Sequence, residues 1–435
     1  MRNGLTLSAL VAATLLTVPT AAPAADYVAG QVIVKYRDGT GDRTQSAVER
    51  AAGTDPAVAL PGGSRQLDIA DGASVSRTVE KLRKDPSVAY AVPNYVAHAA
   101  ALYPNDPGFK LQWNLSGPFG INMPDAWSLA RQLGAPGARG AVVAVLDTGV
   151  AYRDFKHRYR RAPDLRRFVP GHDFVDGDNY PFDLNGHGTH VAGTIAETTN
   201  NGKGAAGIAY RARIMPLRVL DADGAGDTVA ISRALRFAAK RHAQVINMSL
   251  EFDSRVRASQ IPDIVSAVHY ARRRGAVVVG AGGNQADPAV AYPARASGVI
   301  SVGATTERGC EADYSNTGRD LDVVAPGGGA DAAHDDDPWD ASHCRPDLRG
   351  RYIFQQTFTT DIRHFGLPSG YEGTSMASPH VAGIAALIIG THRLGPHPSP
   401  RAVEDRIKQT ARDIGPPGID SRYGWGLVDA AAALR

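Results

Sequence analysis

Residues 141–146 read Ala-Val-Val-Ala-Val-Leu, an apolar run with no alternation between polar and apolar positions. A strand that is buried on both faces has this pattern, which is typical of parallel sheets covered by helices. Similar short runs follow at 214–220, 245–250, 276–281, 299–302 and 321–324. Helix-like stretches at 228–241 and 261–274 lie between them. We therefore expect an α/β fold, a doubly wound and largely parallel sheet flanked by helices.

Two regions fall outside this alternation. Residues 25–101 combine strand-like runs at 31–36 and 88–92 with a helical pattern at 75–84, which predicts a small separate α+β unit. Residues 327–370 are rich in Asp, Gly and His, and we expect them to form a long surface loop.

The composition narrows the class of protein. Hydrophobic residues make up 43% of the 435 positions and charged residues 21%, so the chain can bury a large core. The 47 Lys and Arg residues nearly balance 44 Asp and Glu, which argues against a nucleic-acid partner. Two cysteines are too few for a disulfide scaffold or a four-cysteine zinc site.

The N-terminus has the pattern of an export signal. Arg2 supplies a positive charge, residues 5–18 form an apolar run, and Ala22-Pro23-Ala24 offers small residues for cleavage. The apolar run is shorter than the ~20 residues that span a bilayer, and a retained membrane anchor is the alternative. We therefore expect a signal peptide at 1–24 and a soluble mature protein outside the cytoplasm. An oxidising compartment makes Cys310 and Cys344 a candidate disulfide, with two free buried thiols as the alternative.

Three short motifs contain side chains that are capable of catalysis. They are Val-Leu-Asp-Thr-Gly at 145–149, Asn-Gly-His-Gly-Thr-His-Val-Ala-Gly at 185–193, and Gly-Thr-Ser-Met-Ala-Ser-Pro-His at 373–380. The first ends a buried strand, and the other two begin helices. Since sites in parallel sheets form at the carboxyl ends of strands, all three motifs can meet at one edge.

The residue types suit nucleophilic catalysis. Ser375 is a weak nucleophile until a base takes its proton, and His187 can act as that base near neutral pH. Asp147 can orient and stabilise the imidazolium that forms. Taken singly, each motif also suits a different role: a structural Asp, a helix cap, or a metal pair of His187 and His190 that lacks the zincin glutamate. The order Asp, His, Ser along the chain is that of subtilisin.

With these motifs in place, residues 103–435 resemble the subtilase family of serine peptidases, and most of all its thermitase-type members. Residues 25–101, with Val-Glu-Lys-Leu at 79–82 and Val-Ala-Tyr-Ala-Val-Pro-Asn at 88–94, resemble the family's inhibitory propeptide, a ferredoxin-like fold. The resemblance implies a peptidase domain at 102–435, released when the enzyme cuts itself near Ala101-Leu102. It implies a secreted serine endopeptidase made as a zymogen. An esterase or peptide ligase, and a binding protein with a decayed site, are the rival functions.

The resemblance also assigns a substrate cleft. Asn284 would donate its side-chain amide to the tetrahedral oxyanion beside the Ser375 N–H. Glu251 departs from the family pattern, which has Gly there, and would narrow the pocket or favour a basic side chain. The implied substrate-binding residues are Gly224, Ala225, Gly226, Ser249, Leu250, Glu251, Ala281, Gly282, Gly283 and Ala291, the last at the floor of the specificity pocket.

Structural Ca²⁺ is the cofactor that the resemblance implies, and no organic cofactor is expected. A first site would use Asp173, Asp176 and Asp178 with the carbonyls of Tyr180 and Phe182, and a solvated loop is the alternative. A second would use Asp106, Asp164 and Asn201 with the carbonyls of Thr198, Lys203 and Ala205.

The expected partners are protein and peptide substrates and the chain's own propeptide, bound by a monomer. A basic insertion at 152–162 is read as a solvated face, with steering of acidic partners as the alternative. The Asp335-Asp336-Asp337 run with His334 and His343 is likewise read as solvated, with metal binding as the alternative.

Overall fold

The computed structural model describes residues 27–69, 74–95, 101–332, 334 and 337–435. The described residues fold as two compact units that divide near residue 100. The predicted signal peptide lies outside the described residues, as do Asp335, Asp336 and most of the expected cleavage segment. Of the helices that are described, none combines the length and the apolar character needed to cross a bilayer.

The first unit is a four-stranded antiparallel sheet with two helices. Its elements are β1 (Tyr27–Tyr36), α1 (Asp42–Ala52), β2 (Thr54–Ala59), β3 (Ser64–Ile69), α2 (Val75–Arg83) and β4 (Val88–Tyr95). The strand order β2-β3-β1-β4 confirms the expected ferredoxin-like α+β fold. Val32, Val34, Leu67 and Leu82 are fully buried and form the centre of its core.

The second unit is built around seven parallel strands. These strands are β5 (Val142–Asp147), β6 (His172–Asp173), β7 (Arg213–Arg218), β8 (Val245–Met248), β9 (Val277–Ala281), β10 (Val299–Thr305) and β11 (Val323–Pro326). The helices are α3 (Trp113–Ser116), α4 (Met123–Gln132), α5 (His187–Ala196), α6 (Thr228–Lys240), α7 (Pro262–Arg273), α8 (Pro338–His343), α9 (Thr374–Gly390), α10 (Pro400–Gln409) and α11 (Ala430–Leu434). A hairpin of β12 (Thr357–Phe358) and β13 (Phe365–Gly366) and two 3₁₀ turns, Pro107–Leu111 and Ala258–Gln260, complete it.

The strand order is β11-β10-β9-β8-β5-β7-β6, so the chain changes direction across the sheet at β5. Ligand sites in open α/β sheets lie at such switch points, beyond the carboxyl ends of the strands. Asp147 is the last residue of β5, which places its carboxylate at this position. All six predicted apolar runs are strands of this sheet, which confirms the expected fold class.

Both faces of the sheet are covered, as the apolar runs required. Val143 and Val145 of β5 belong to the core on the side of α5 and α9, whereas Ala144 and Leu146 belong to the core formed with α6 and α7. Helix α9 is apolar nearly all round and is buried along its length except at Ser375. A helix of this kind is stable only inside a core, and α9 packs against β8, β9, β10 and β11.

The expectation of one long surface loop at 327–370 is wrong. This stretch contains α8 and the β12–β13 hairpin, and Ile353 within it is fully buried. Cys344, at the end of α8, is bonded to Cys310 with a Cα–Cα distance of 5.7 Å. The predicted disulfide is therefore present, and both cysteines are accounted for.

Candidate active site

Asp147 and His187 form a close pair at the end of β5. Nδ1 of His187 lies 2.7 Å from Oδ1 of Asp147, which also accepts the backbone N–H of Thr148 at 2.7 Å. Asp147 is fully buried. Burial alone would lower the pKa of His187, but the charge of Asp147 and its hydrogen bond raise that pKa above its usual value. The pair thus has the arrangement of a general base and its orienting carboxylate.

Helix α5 begins at His187 and must approach β5 closely. A Cβ atom on Gly188 would lie 2.1 Å from the carbonyl oxygen of Gly149 and 3.1 Å from Cβ of Asp147. Only glycine therefore allows the histidine to reach the aspartate. This explains the Gly that follows His187 in the second motif.

Asp183 fixes the start of α5, and we did not anticipate it from the sequence. It is buried, and burial raises the pKa of its carboxyl group despite the donors around it. Its two oxygens accept hydrogen bonds from the Thr148 hydroxyl, the Asn185 and Gly186 N–H groups, and the N–H and hydroxyl of Thr189. The carboxylate thereby joins the first motif to the second.

Ser375 lies in the first turn of α9. Gly373, two residues earlier, has φ 139°, a conformation that favours glycine. The Ser375 hydroxyl donates to the carbonyl oxygen of Ser249 at 3.3 Å. No hydrogen bond joins Ser375 to His187 among the described residues, yet both side chains line the same cleft. Catalytic hydrogen bonds are often loose in ligand-free enzymes, so the arrangement is compatible with proton transfer.

Asn284 faces this cleft from the loop after β9. Its Oδ1 accepts hydrogen bonds from the Thr374 N–H at 2.8 Å and the Thr374 hydroxyl at 3.0 Å. The Thr374 hydroxyl also accepts the N–H of Gly283 at 3.1 Å. With Oδ1 engaged, Nδ2 remains as a donor in the cleft that Ser375 also lines. Sequence reasoning identified Asn284 but missed Thr374.

The cleft has a volume of about 450 Å³. Seven of the expected oxyanion and substrate-binding residues lie in its wall: Gly224, Ala225, Gly226, Ser249, Leu250, Glu251 and Asn284. The wall also contains Thr148, Asn185, Leu220, Ile231 and Phe252, none of which we had anticipated.

Four expected residues lie behind this wall. Ala281 and Ala291 are buried, and the N–H of Ala291 donates to the Gly282 carbonyl at 2.7 Å. A Cβ on Gly283 would lie 3.1 Å from that of Ala291, so these residues back the oxyanion loop. Ala291 is thus buried against the oxyanion loop, and its role at the floor of a specificity pocket stays a prediction.

The alternative of a His187–His190 metal pair finds no support in the geometry. His190 is buried, and Nε2 lies 3.0 Å from the carbonyl oxygen of Ile353. Burial lowers the pKa of His190 to about 3, so this ring is neutral. Among the described residues, His190 belongs to no group of three or more His, Cys, Asp or Glu side chains arranged to hold a metal ion.

The first expected calcium loop differs from the prediction. Nη1 of Arg218 lies 2.8 Å from Oδ2 of Asp173 and 2.6 Å from Oδ2 of Asp176. Asp178 accepts the N–H of Tyr180, whose carbonyl in turn accepts the N–H of Phe182. A guanidinium thus already neutralises two of the three carboxylates. Ca²⁺ would have to compete with this guanidinium, which argues against the first of the two expected sites.

The second expected loop fits a cation better. Asp106 accepts the N–H groups of 200–202, and Nδ2 of Asn201 donates to Oδ1 of Asp164 at 2.7 Å. Asp164 and Glu197 are buried, and each has one carboxylate oxygen without a partner in the described chain. Burial raises the pKa of both groups. The loop thus combines orphaned buried oxygens with the expected donors, which include the Thr198, Lys203 and Ala205 carbonyls. Sequence reasoning missed Glu197.

Two charged stretches are engaged with their own neighbours. Arg153, in the basic insertion, lies within 5.8 Å of four ring centroids, and Tyr159 stacks on Phe182 with centroids 4.0 Å apart. In the acidic run, Asp337 pairs with Arg422. His334 and His343 contact Glu311 and Trp339, respectively. Several charged side chains of these two stretches thus already have partners within the protein.

Comparison with known proteins agrees with this geometry. Residues 138–426 match the subtilase family, and residues 16–94 match the fervidolysin N-terminal prodomain. The thermophilic serine proteinase of Bacillus sp. (strain AK1) is 35% identical over 402 residues, covering 92% of this chain and 86% of that protein. Thermitase of Thermoactinomyces vulgaris is 35% identical over 333 residues, covering 76% and 99%. A solved protease from Pseudoalteromonas arctica superposes with TM-score 0.61 at 34% identity, covering 76% of this chain and 98% of that one.

The fold and the comparisons together define a subtilisin-like serine protease with an N-terminal prodomain. The chain belongs to the subtilase family, whose members are serine endopeptidases.

Proposed function

We propose that this chain is a secreted, self-processing endopeptidase that cleaves proteins through a covalent acyl-enzyme on Ser375. The observation that carries the proposal is the 2.7 Å contact between His187 and Asp147 in the same cleft as Ser375. A weak alcohol nucleophile requires such a base, and a base requires a group that orients it.

The proposed reaction has two halves. Ser375 Oγ attacks the peptide carbonyl carbon while His187 Nε2 takes the hydroxyl proton and then gives it to the leaving amine. Asp147 holds the imidazole through Nδ1 and stabilises the imidazolium. Water then attacks the acyl carbon while His187 accepts its proton, and His187 returns that proton to Ser375 Oγ as the ester bond breaks and the carboxylic acid leaves. For the proton to pass to His187, the hydroxyl must turn away from the Ser249 carbonyl oxygen to which it now donates.

The developing oxyanion requires donors that are already in place. Nδ2 of Asn284 supports this role, because Thr374 engages the other amide atom, Oδ1. The N-terminus of α9 adds the backbone N–H of Ser375 and the positive end of the helix dipole. Donors of this kind act in the transition state more strongly than in the ground state.

Maturation and location complete the proposal. The prodomain of residues 25–101 inhibits the peptidase domain until Ser375 cuts near Ala101-Leu102. The Cys310–Cys344 disulfide supports an extracytoplasmic location, since such bonds persist in oxidising compartments. The signal peptide at 1–24 would direct export.

A structural Ca²⁺ ion is proposed for the second loop only. The side chains of Asp106, Asp164 and Asn201 would hold it, with the carbonyls of Thr198, Lys203 and Ala205. When bound, the ion would supply a partner for the buried oxygens of Asp164 and Glu197 that have none in the described chain. Arg218 supplies that neutralisation in the first loop.

The direct test is the Ser375→Ala variant of the full-length chain. It should neither hydrolyse a denatured protein substrate nor release its own prodomain. Ser266→Ala removes an exposed hydroxyl on α7 and serves as the matched control, with wild-type hydrolysis and processing expected. Retention of both activities by Ser375→Ala would refute the assignment.

A further inference from the structure

An acidic side chain lies in the wall of the cleft without a cation beside it. Glu251 follows β8, two residues after Ser249, whose carbonyl oxygen accepts the Ser375 hydroxyl. Its Oε2 is buried and has no hydrogen-bond partner in the described chain. Arg255, four residues further on, is already paired with Asp253 at 2.6 Å. One oxygen of the carboxylate is therefore desolvated without a partner, and no ion pair to Glu251 is present among the described residues.

Glu251 also connects the two segments that flank Ser375. Its Oε1 lies 3.4 Å from the side-chain nitrogen of Gln285, and the backbone N–H of Asn284 donates to the same carboxylate. A peptide whose carbonyl carbon meets Ser375 and whose oxyanion meets Asn284 would occupy the cleft that these two residues line. Glu251 lines the same cleft and is therefore within reach of a substrate side chain.

We propose that Glu251 makes this cleft select Lys or Arg as the residue whose carbonyl group is cleaved. The inference rests on the proposed function, because it takes Ser375 as the nucleophile. An unpaired buried carboxylate is costly, and a substrate cation supplies the missing partner. A neutral side chain of the same shape leaves the carboxylate unpaired, so the site discriminates against it. Burial raises the pKa of Glu251, because the charged carboxylate loses solvent there without gaining a cation.

The proposed self-cleavage does not contradict this preference. Residues 85–109 contain no Lys or Arg, so cleavage near Ala101 takes place after an uncharged residue. An intramolecular reaction with well-oriented groups has an effective molarity of about 10⁵–10⁸ M, which compensates for a poor side chain. The preference for a basic residue therefore concerns substrates cleaved in trans.

The test uses two pairs of peptides that differ at one residue. Arginine is compared with citrulline, which has nearly the same shape and no charge, and lysine with norleucine. The wild-type mature enzyme should show kcat/KM about 10- to 100-fold higher for each basic member. Glu251→Gln should bring both ratios close to one. Asp253→Asn, which removes an exposed carboxylate two residues away, should keep the wild-type ratios.

The outcomes separate the two proposals. Wild-type ratios near one, with the neutral peptides hydrolysed, overturn the role of Glu251 and leave the proposed function intact. The same holds if citrulline and norleucine are preferred over arginine and lysine, because Glu251 then does not select a cation. If the wild type hydrolyses neither the peptides nor a denatured protein, the proposed function itself fails. The wild-type ratios decide the matter even if Glu251→Gln does not fold.

Discussion

Thr374 holds the side-chain amide of Asn284 in one orientation. The backbone nitrogen and the hydroxyl of Thr374 lie 2.8 and 3.0 Å from Oδ1 of Asn284. An amide group that accepts two hydrogen bonds through its oxygen must present its nitrogen on the other side. Thr374, which precedes the proposed nucleophile Ser375, therefore orients the proposed oxyanion donor Asn284. Helix α9 thus supplies the nucleophile and also positions the donor.

Replacing Asn284 by Leu should lower kcat by about 10²–10³-fold, because the lost donor acts mainly on the transition state. KM should change little. The measurement is steady-state hydrolysis of one peptide by the mature enzyme. Thr374→Val, which removes one of the two donors to Oδ1, should give a smaller loss. A kcat within about threefold of wild type for Asn284→Leu would exclude the donor role.

The acid limb of the pH–rate profile should report His187. Its pKa is raised above the usual value by Asp147, and only the neutral ring accepts the Ser375 proton. Activity should therefore be full above this raised pKa and fall as the pH drops through it. Asp147→Asn removes the charge that raises the pKa, so the limb should move to lower pH. The same change should lower kcat by about 10⁴-fold. If the acid limb of Asp147→Asn lies at the same pH as that of the wild type, the limb reports the titration of a group other than His187.

Arg218 should be essential to the stability of the first loop. Its side chain and that of Asp173 are nearly buried, with exposures of 5% and 2%. Arg218→Met would leave a buried carboxylate without a partner, and the free energy of unfolding should fall by about 3 kcal/mol. Added Ca²⁺ should raise the Tm of this variant more than that of the wild type, since the carboxylates are then free.

The matched control for this change is Arg255→Met, which breaks an exposed pair with Asp253. Exposed ion pairs contribute about 0–1 kcal/mol, so its Tm should stay close to that of the wild type. Chemical denaturation of both variants gives the comparison. Equal stability of the two variants would mean that Arg218 does not stabilise the loop.

Chelation tests the second loop. A ligand that binds only the folded state stabilises it by about 4 kcal/mol when its free concentration is 1,000 times Kd. EDTA should therefore lower the Tm of the wild type, and Asp164→Asn should reduce that response. Asp263→Asn, at an exposed position in the first turn of α7, should leave the response intact. If EDTA does not change the Tm of the wild type, the proposed Ca²⁺ ion in the second loop is refuted.

The elements that the sequence predicted are those with strong local patterns. The six buried strands appear as continuous apolar runs because both faces are covered, and α6 and α7 show helical periodicity. The two-residue strand β6 has too few positions for any pattern. Helix α8 depends on contacts distant in sequence, namely the disulfide at Cys344 and the pairing of Asp337 and Asp340 with Arg422. No local periodicity encodes these contacts.

The same distinction holds at the site. Asp147, His187 and Ser375 each stand in a compact motif, so residue type and flanking glycines were enough to select them. Arg218 was missed because it reaches Asp173 from the neighbouring strand β7, 45 positions further along the chain. Glu197 is the first residue of the short polar stretch that follows α5, and nothing in the sequence indicates that it is fully buried.

The most direct test of the central claim is peptide mapping by mass spectrometry after treatment with a phosphonylating reagent. Such reagents label an alcohol only when a neighbouring base activates it. The mature enzyme should lose activity in step with a single adduct on Ser375, and His187→Ala should remain unlabelled. Complete inactivation with Ser375 unmodified, or equal labelling of the His187→Ala variant, would contradict the proposed nucleophile and its base.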